Sequence, residues 1–348
     1  LSLHDALPIL YIATNDKQER PQMTIFSKCW LSLCGLLIIA APAMAQDASP
    51  TTTYPNKTVR FVSNFPPGGP ADILARSMAD ALQSSLKQAF IVENKPGAGG
   101  NLGADIVVKS PADGYTVLFG IDTTFTVNPY IYKAMPFKPA DLKPVMVLAS
   151  SGLMVGSYSG RQFKSMKDLI AAGRSKVLNF SSAGNGSPGH LAAEIFTDAA
   201  EIKIQHVPYK GNTPAVTAVM SGEVDAGALA TPGMLPHVKT GRINALAVTS
   251  RKRSKLAPDV PTVAELGLKD LELEVLYVVM MPSATPDAVV QILQNAMRSA
   301  LNQPDIKTRL INLDLAYEGL TGKAAQTRLN DLSIRYARIV QSTGMESE

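Results

Sequence analysis

Cysteine is nearly absent. Cys29 and Cys34 are the chain's 2 cysteines, and both fall in a stretch that reads as a removable secretion signal. Met23 is followed by Lys28, an apolar run over 29–41, and Ala43-Met44-Ala45. A basic start, a short apolar centre and small residues spaced A-x-A are what a signal peptidase requires. The apolar run is too short to span a bilayer. Cleavage is expected after Ala45, which makes 23–45 the signal peptide and 1–22 a non-native leader. A lipoprotein signal at Leu31-Ser32-Leu33-Cys34 is opposed by the bulk of Leu33. From Gln46 onward no cysteine remains, so disulfides, thiolate nucleophiles and thiolate metal sites are excluded. Secretion without cysteine fits a bacterial periplasm.

Histidine is scarce as well, at 4 residues. Beyond the signal, His190, His206 and His237 form neither H-E-x-x-H nor any other metal spacing, so no metal site is expected. Long basic runs are missing, and 33 Lys and Arg against 29 Asp and Glu leave a net charge of +4. The leader and signal carry equal numbers of both signs, so the balance survives cleavage. A chain without a basic patch offers nucleic acid no electrostatic footprint.

What remains is roughly 300 residues, more than one core usually holds, so two domains are expected. A βα alternation starts at Thr58. Residues 59–65 read as a buried strand, and Leu74, Met78, Ala81, Leu82 and Leu86 then share one helical face. Strands follow at 90–93 and 116–121, separated by a helix ending at 109 and a turn at 110–114. The apolar segment 145–158 carries the chain into a second lobe. There strands are expected at 177–181, 204–207, 226–230 and 243–248, and helices at 165–174, 188–199 and 214–221. Thr213 before Pro214 suits a helix start. Residues 271–281 read as the return strand, and helices at 286–301 and 323–340 pack back on the first lobe. Strands separated by helices imply an α/β fold with mostly parallel sheets. The expected division is 54–147 plus 277–348 for lobe 1 and 148–276 for lobe 2, joined by two hinge crossings.

Two glycine-rich strand-to-helix turns carry the chemistry. The first is Asn64-Phe65-Pro66-Pro67-Gly68-Gly69-Pro70-Ala71-Asp72; the second is Ala183-Gly184-Asn185-Gly186-Ser187-Pro188-Gly189-His190. Unpaired N–H groups and the positive dipole end at a helix start suit an anion. Asp72 would organise its loop, because a bare carboxylate repels an anion. The second turn also matches G-x-G-x-x-G, but the next strand ends in Val207-Pro208-Tyr209-Lys210 rather than an acid, so a dinucleotide is disfavoured. Ser187 can donate its hydroxyl to a solute or cap the helix. His190, three residues later, can fix the loop or pair with Ser187 as a nucleophile; no G-x-S-x-G elbow surrounds Ser187. Tyr209, at a strand end, can touch a solute, and Lys210 can add charge. Thr123, after the third strand, is a polar wall candidate or a helix cap.

In order along the chain, several segments together resemble one family. They are Pro66-Pro67-Gly68-Gly69 with Asp72 and Ala75-Arg76, Glu93-Asn94-Lys95-Pro96-Gly97-Ala98-Gly99-Gly100, Ser110-Pro111-Ala112-Asp113-Gly114-Tyr115, Gly186-Ser187 with His190-Leu191-Ala192, Val207-Pro208-Tyr209-Lys210-Gly211 and Asp259-Val260-Pro261-Thr262. The chain resembles the periplasmic solute-binding receptors of tripartite tricarboxylate transporters, the Bug/TctC-like proteins. The resemblance implies a two-lobed venus-flytrap receptor, type II-like, monomeric, without catalysis or cofactors. It would bind a small mono- or dicarboxylate between the turns and deliver it to membrane permease subunits. The implied ligand-binding set is Phe65, Pro67, Gly68, Gly69, Asp72, Thr123, Ala183, Gly184, Gly186, Ser187, His190 and Tyr209. The chain departs from the family at Pro136-Phe137-Lys138-Pro139-Ala140-Asp141, and at Tyr277, where many members carry Trp. A secreted hydrolase using Ser187 and His190, and a sensor subunit for a membrane kinase, are the rival readings.

Overall fold

A computed structural model describes residues 54–345. The expected signal and leader lie outside the described residues. The described residues all fall within one compact unit.

The first lobe opens with β1 (Val59–Ser63), α1 (Pro70–Leu86), β2 (Phe90–Asn94), α2 (Asn101–Val108) and β3 (Thr116–Ile121), then two short helices, α3 (Thr123–Thr126) and α4 (Asn128–Ile131). β4 (Leu142–Ser151) leads out of it. The second lobe contains β5 (Met154–Tyr158), α5 (Met166–Ser175), β6 (Leu178–Ser182), α6 (Pro188–Ala199), β7 (Ile204–Pro208), α7 (Asn212–Ser221), β8 (Ala226–Leu229), α8 (Thr231–Lys239) and β9 (Ile243–Val248). β10 (Val275–Pro282) returns to the first lobe, followed by α9 (Asp287–Leu301), α10 (Pro304–Asn312), β11 (Ala316–Leu320) and α11 (Gly322–Thr343).

The first sheet runs β11-β4-β10-β3-β1-β2 and the second β7-β6-β8-β5-β9. Each contains a parallel trio, β2-β1-β3 or β7-β6-β8. Next to each trio lies a strand that has crossed from the other lobe, β10 or β5, and it runs antiparallel to both neighbours. The α/β two-lobed architecture therefore holds, while the expectation of mostly parallel sheets holds only within the trios. A crossing strand enters its sheet from the opposite end, and that fixes its direction. β3 is buried along its whole length, as a strand covered on both faces must be.

The apolar segment 145–158 is two strands, broken at Gly152 and Leu153. A side chain on Gly152 would meet the Ser250 backbone nitrogen at 2.6 Å, so the two crossings pass in contact. β4 stays in the first sheet to Ser151, beyond the expected boundary at 147. The return strand starts at Val275, because 269–271 turn as a single short helix with Leu271 buried. α7 starts at Asn212 rather than at Pro214: Gly211 takes φ 107° at its N-cap, and Asn212 Oδ1 accepts the Ala230 N–H at 3.0 Å.

Candidate functional site

A cavity of about 350 Å³ lies where both glycine-rich turns and both crossings meet. The first lobe contributes Phe65, Pro66, Pro67, Gly69 and Ala71; the second contributes Ala183, Ser187, Gly189, Gly211 and Ala230. Leu153, Val275 and Tyr277 come from the crossings, and Ile121 from the end of β3. The sequence thus brought the two turns to one shared space. They also touch across it: a side chain on Gly211 would lie 3.5 Å from Pro66, and one on Gly186 would lie 2.6 Å from Asn128 Oδ1.

The polarity of this space comes from helix starts. α1, α6 and α7 each begin at its wall, after Gly69, Ser187 and Gly211. First-turn N–H groups have no carbonyl four residues back to bond. In α1 the first to bond back is Ile73, to Gly69 O at 3.1 Å, which leaves Ala71 ahead of it. In α6 the His190 N–H bonds Ser187 O at 3.0 Å, with Gly189 ahead. Pro70 and Pro188 sit in these first turns, where a missing N–H costs nothing. The third helix start, 211–214, was not among the expected ligand residues. Its signal was present as Gly211 just beyond a strand end. Lys210 is the charged side chain on this wall among the described residues, and it is exposed. Aligned dipoles, one lysine and apolar walls make a site for a small anion with a hydrocarbon body.

Several expected site residues work from behind the wall. Asp72 is buried, and its carboxylate accepts from the Gly68 N–H at 3.0 Å, Arg76 Nε at 3.2 Å and Asn94 Nδ2 at 2.9 Å. Burial alone would raise its pKa; the bonds from Arg76, Gly68 and Asn94 outweigh that and keep it below the ordinary carboxylate range. The Gly68 amide is thereby spent on Asp72 and stays off the cavity wall, and the bond fixes the turn that sets Gly69 and Ala71 on that wall. His190 Nδ1 accepts the Gly186 N–H at 3.3 Å, and its Nε2 stands 3.6 Å from Glu194. Neither ring nitrogen is set to take a proton from Ser187, which argues against the hydrolase arrangement. The His190 ring stacks on His206, whose Nε2 is 2.6 Å from Ser182 Oγ. Ser182 Oγ also accepts the Gly184 N–H at 3.1 Å, which ties Gly184 into the same support.

Thr123 is 1% exposed, and its Oγ1 lies buried off the cavity without a hydrogen-bond partner. Tyr209 turns its hydroxyl to Glu223 at 2.6 Å, and its ring packs with the second-lobe core, so the strand end offers Lys210 and Gly211 instead. Tyr277 does reach the wall. Burial, with the nearby Asp122 charge, pushes its pKa up to about 12, so it remains a neutral hydroxyl, 3.3 Å from Ser151 Oγ.

Two α/β lobes closing on one cavity, joined by paired crossings, define a bilobal binding protein. The chain belongs to the tripartite tricarboxylate transporter family receptors (TctC), whose family model matches residues 74–345. It is 34% identical over 327 residues to Protein BugT of Bordetella pertussis, covering 90% of this chain and 97% of BugT. Its fold is similar to periplasmic binding protein BugD, with TM-score 0.78, 28% identity, and 85% of this chain and 100% of that one covered. It is also similar to an R. palustris protein solved with adipate, with TM-score 0.79, 30% identity, and 84% and 99% covered. Among the described residues no helix is long and apolar enough to cross a membrane.

Proposed function

We propose that this receptor captures a small organic carboxylate in the periplasm and delivers it, as a monomer without catalysis, to the permease subunits of a tripartite transporter. The observation that carries the reading is the convergence of three helix starts, α1, α6 and α7, on a cavity whose walls are otherwise largely apolar. Unpaired amides from Ala71 and Gly189, the Ser187 hydroxyl and Lys210 stabilise the carboxylate. Phe65, Ile121, Leu153 and Val275 take the hydrocarbon. Amide and hydroxyl donors beside an exposed lysine suit a receptor that must release its cargo, since they bind a charge without forming a buried ion pair. The adipate-bound neighbour supports a dicarboxylate of that size. Closure removes water from the site and strengthens each of these bonds.

The test is a thermal-shift screen followed by calorimetry, with mono- and dicarboxylic acids of two to eight carbons, adipate included. A bound acid at about 100 times its Kd stabilises the folded chain by about 2.7 kcal/mol, a shift of several degrees. If no acid in the panel moves Tm, the carboxylate reading is wrong.

A further inference from the structure

We propose that Asp122 couples capture of an anionic solute to uptake of a proton, so that affinity falls as pH rises through neutrality. The inference rests on the carboxylate reading above and adds a linkage to it.

Asp122 is 0% exposed and follows Ile121, which lines the cavity. It is bolted to the returning crossing. Its N–H donates to Leu276 O at 3.0 Å, and its Oδ1 accepts the Leu276 N–H at 2.8 Å. Leu276 stands between Val275 and Tyr277, which both line the cavity. The other carboxylate oxygen accepts from Thr126 Oγ1 at 3.2 Å. These donors are neutral. The other titratable groups whose charge couples to this carboxyl are Tyr277 on β10, with its hydroxyl at Ser151 Oγ, and Arg328 and Tyr336 on α11. Arg328 is committed to Glu274 at 2.6 Å, and no cation lies within ion-pair distance of Asp122 among the described residues. Asp314 adds negative charge near Tyr277.

Burial therefore dominates and raises the Asp122 pKa to about 7, against the pull of its hydrogen bonds to Leu276 and Thr126. An acid whose hydrocarbon lies on Ile121 and Val275 would hold its carboxylate roughly 12 Å away, one residue's rise plus a side chain and the width of the hydrocarbon. A second negative charge at that range, at an effective dielectric near 20, amounts to about tenfold in an equilibrium constant. Linkage is reciprocal: a bound anion that makes Asp122 about tenfold more basic is itself bound about tenfold better when Asp122 is protonated. Asp122 does not touch the solute in this account; it acts as a positioning and charge-setting residue beneath the wall.

The experiment is calorimetry of the wild-type chain with the best-binding acid of the panel, at pH 7, in two buffers of different ionisation enthalpy. About half a proton should be taken up on binding, and Kd should rise several-fold, up to about tenfold, from pH 6 to pH 9. Asp122→Asn keeps the shape and the acceptor for Leu276; it should abolish the uptake and flatten the pH profile. His206→Asn removes a support of Gly184 and so shifts Kd alike at every pH, but it should keep the proton uptake and the shape of the pH profile. Binding without proton uptake overturns this inference alone, as does uptake that persists in Asp122→Asn. If the Asn variant does not fold, the wild-type buffer pair and His206→Asn still decide: uptake lost in His206→Asn assigns the proton to the histidine pair and overturns the inference. Absence of binding by every acid overturns the carboxylate reading itself, and the coupling with it.

Discussion

Thr249 and Leu153 are joined by two hydrogen bonds: the Leu153 N–H donates to Thr249 Oγ1 at 2.8 Å, and the Thr249 N–H donates to Leu153 O at 2.9 Å. The same threonine hydroxyl donates to Leu273 O at 2.8 Å, and the Leu273 N–H returns to Thr249 O at 3.0 Å. One fully buried residue thus pins the outgoing crossing to the returning one. Thr249→Val keeps the shape but leaves a buried N–H and a buried carbonyl short of a partner. The expected loss is about 2–6 kcal/mol of stability, at about 1–3 kcal/mol for each of the two unmade bonds. Urea unfolding checks it through the midpoint. An unchanged midpoint would mean that the hinge does not depend on this hydroxyl.

The two glycine turns differ in what a methyl group would do to them. Gly68 has φ 84° and nothing within 4 Å of where a side chain would start. Gly68→Ala should therefore cost only backbone strain, about 1–2 kcal/mol. Gly186 has φ 73°, and its added carbon would lie 2.6 Å from Asn128 Oδ1 in the opposite lobe. Asn128 cannot retreat, since its amide nitrogen is fixed to Gly99 O at 2.9 Å and Asn101 Oδ1 at 2.8 Å. Gly186→Ala should add a closure defect to the strain, with affinity for the bound acid falling by more than tenfold. Paired melting and calorimetry on the two variants separate these outcomes. Equal losses of affinity would show that the lobes do not close at Gly186.

His206 should make the fold acid-sensitive. Burial first, and then the neighbouring His190, push its pKa down to about 3. The folded chain keeps this ring neutral where the unfolded chain protonates it, at a pKa near 6.5. Below pH 6.5 the unfolded state binds more protons, so the stabilisation present above that pH is lost progressively as pH falls toward 3. Wild type should lose a few kcal/mol over that window. His206→Gln should remove much of the slope, read from urea midpoints at pH 7 and pH 4.5. Asp122, whose folded-state pKa is raised, works in the opposite sense: its contribution is present at low pH and lost as pH rises toward 7 and beyond. The comparison is therefore made between the wild type and the His206 variant at each pH.

The parts of this molecule that were legible from sequence are those set by local pattern. β3 and β9 run over the residues their apolar runs marked, and α6 spans Pro188–Ala199 because Ser187-Pro188 is a strong helix start. The placement of both glycine turns on one cavity followed from their equivalent positions after the first strand of each trio. The sheet directions were not legible, because they depend on where crossing strands re-enter. Tyr209 misled for a tertiary reason: its ring found the second-lobe core and its hydroxyl found Glu223, neither of which is near in sequence. Thr249 and Asp122 gave no sequence signal, since each acts through backbone groups brought to it by the hinge. α8 carries Pro236 in its interior, α10 follows a short linker, and β11 is half exposed, so all three passed below the periodicity on which sequence reading rests.

Ser187 has two tasks that substitution can separate. Its Oγ accepts the His190 N–H at 3.4 Å, a long bond for a helix cap, while the residue lines the cavity. The His190 N–H already has Ser187 O at 3.0 Å, so the cap should contribute at the low end of the usual range, about 0.5 kcal/mol. The hydroxyl proton is left to donate to a carboxylate in the cavity. Ser187→Gly keeps most of the capping preference and removes the donor; Ser187→Asn keeps the cap and adds bulk to the wall. The glycine variant should melt within about 1 °C to 3 °C of wild type and bind the best acid about tenfold more weakly, the worth of one charge-assisted hydrogen bond. Calorimetry on the glycine variant decides. An unchanged Kd with a lowered Tm would make Ser187 a helix cap alone, and would move the carboxylate toward the amides of α1 and α7.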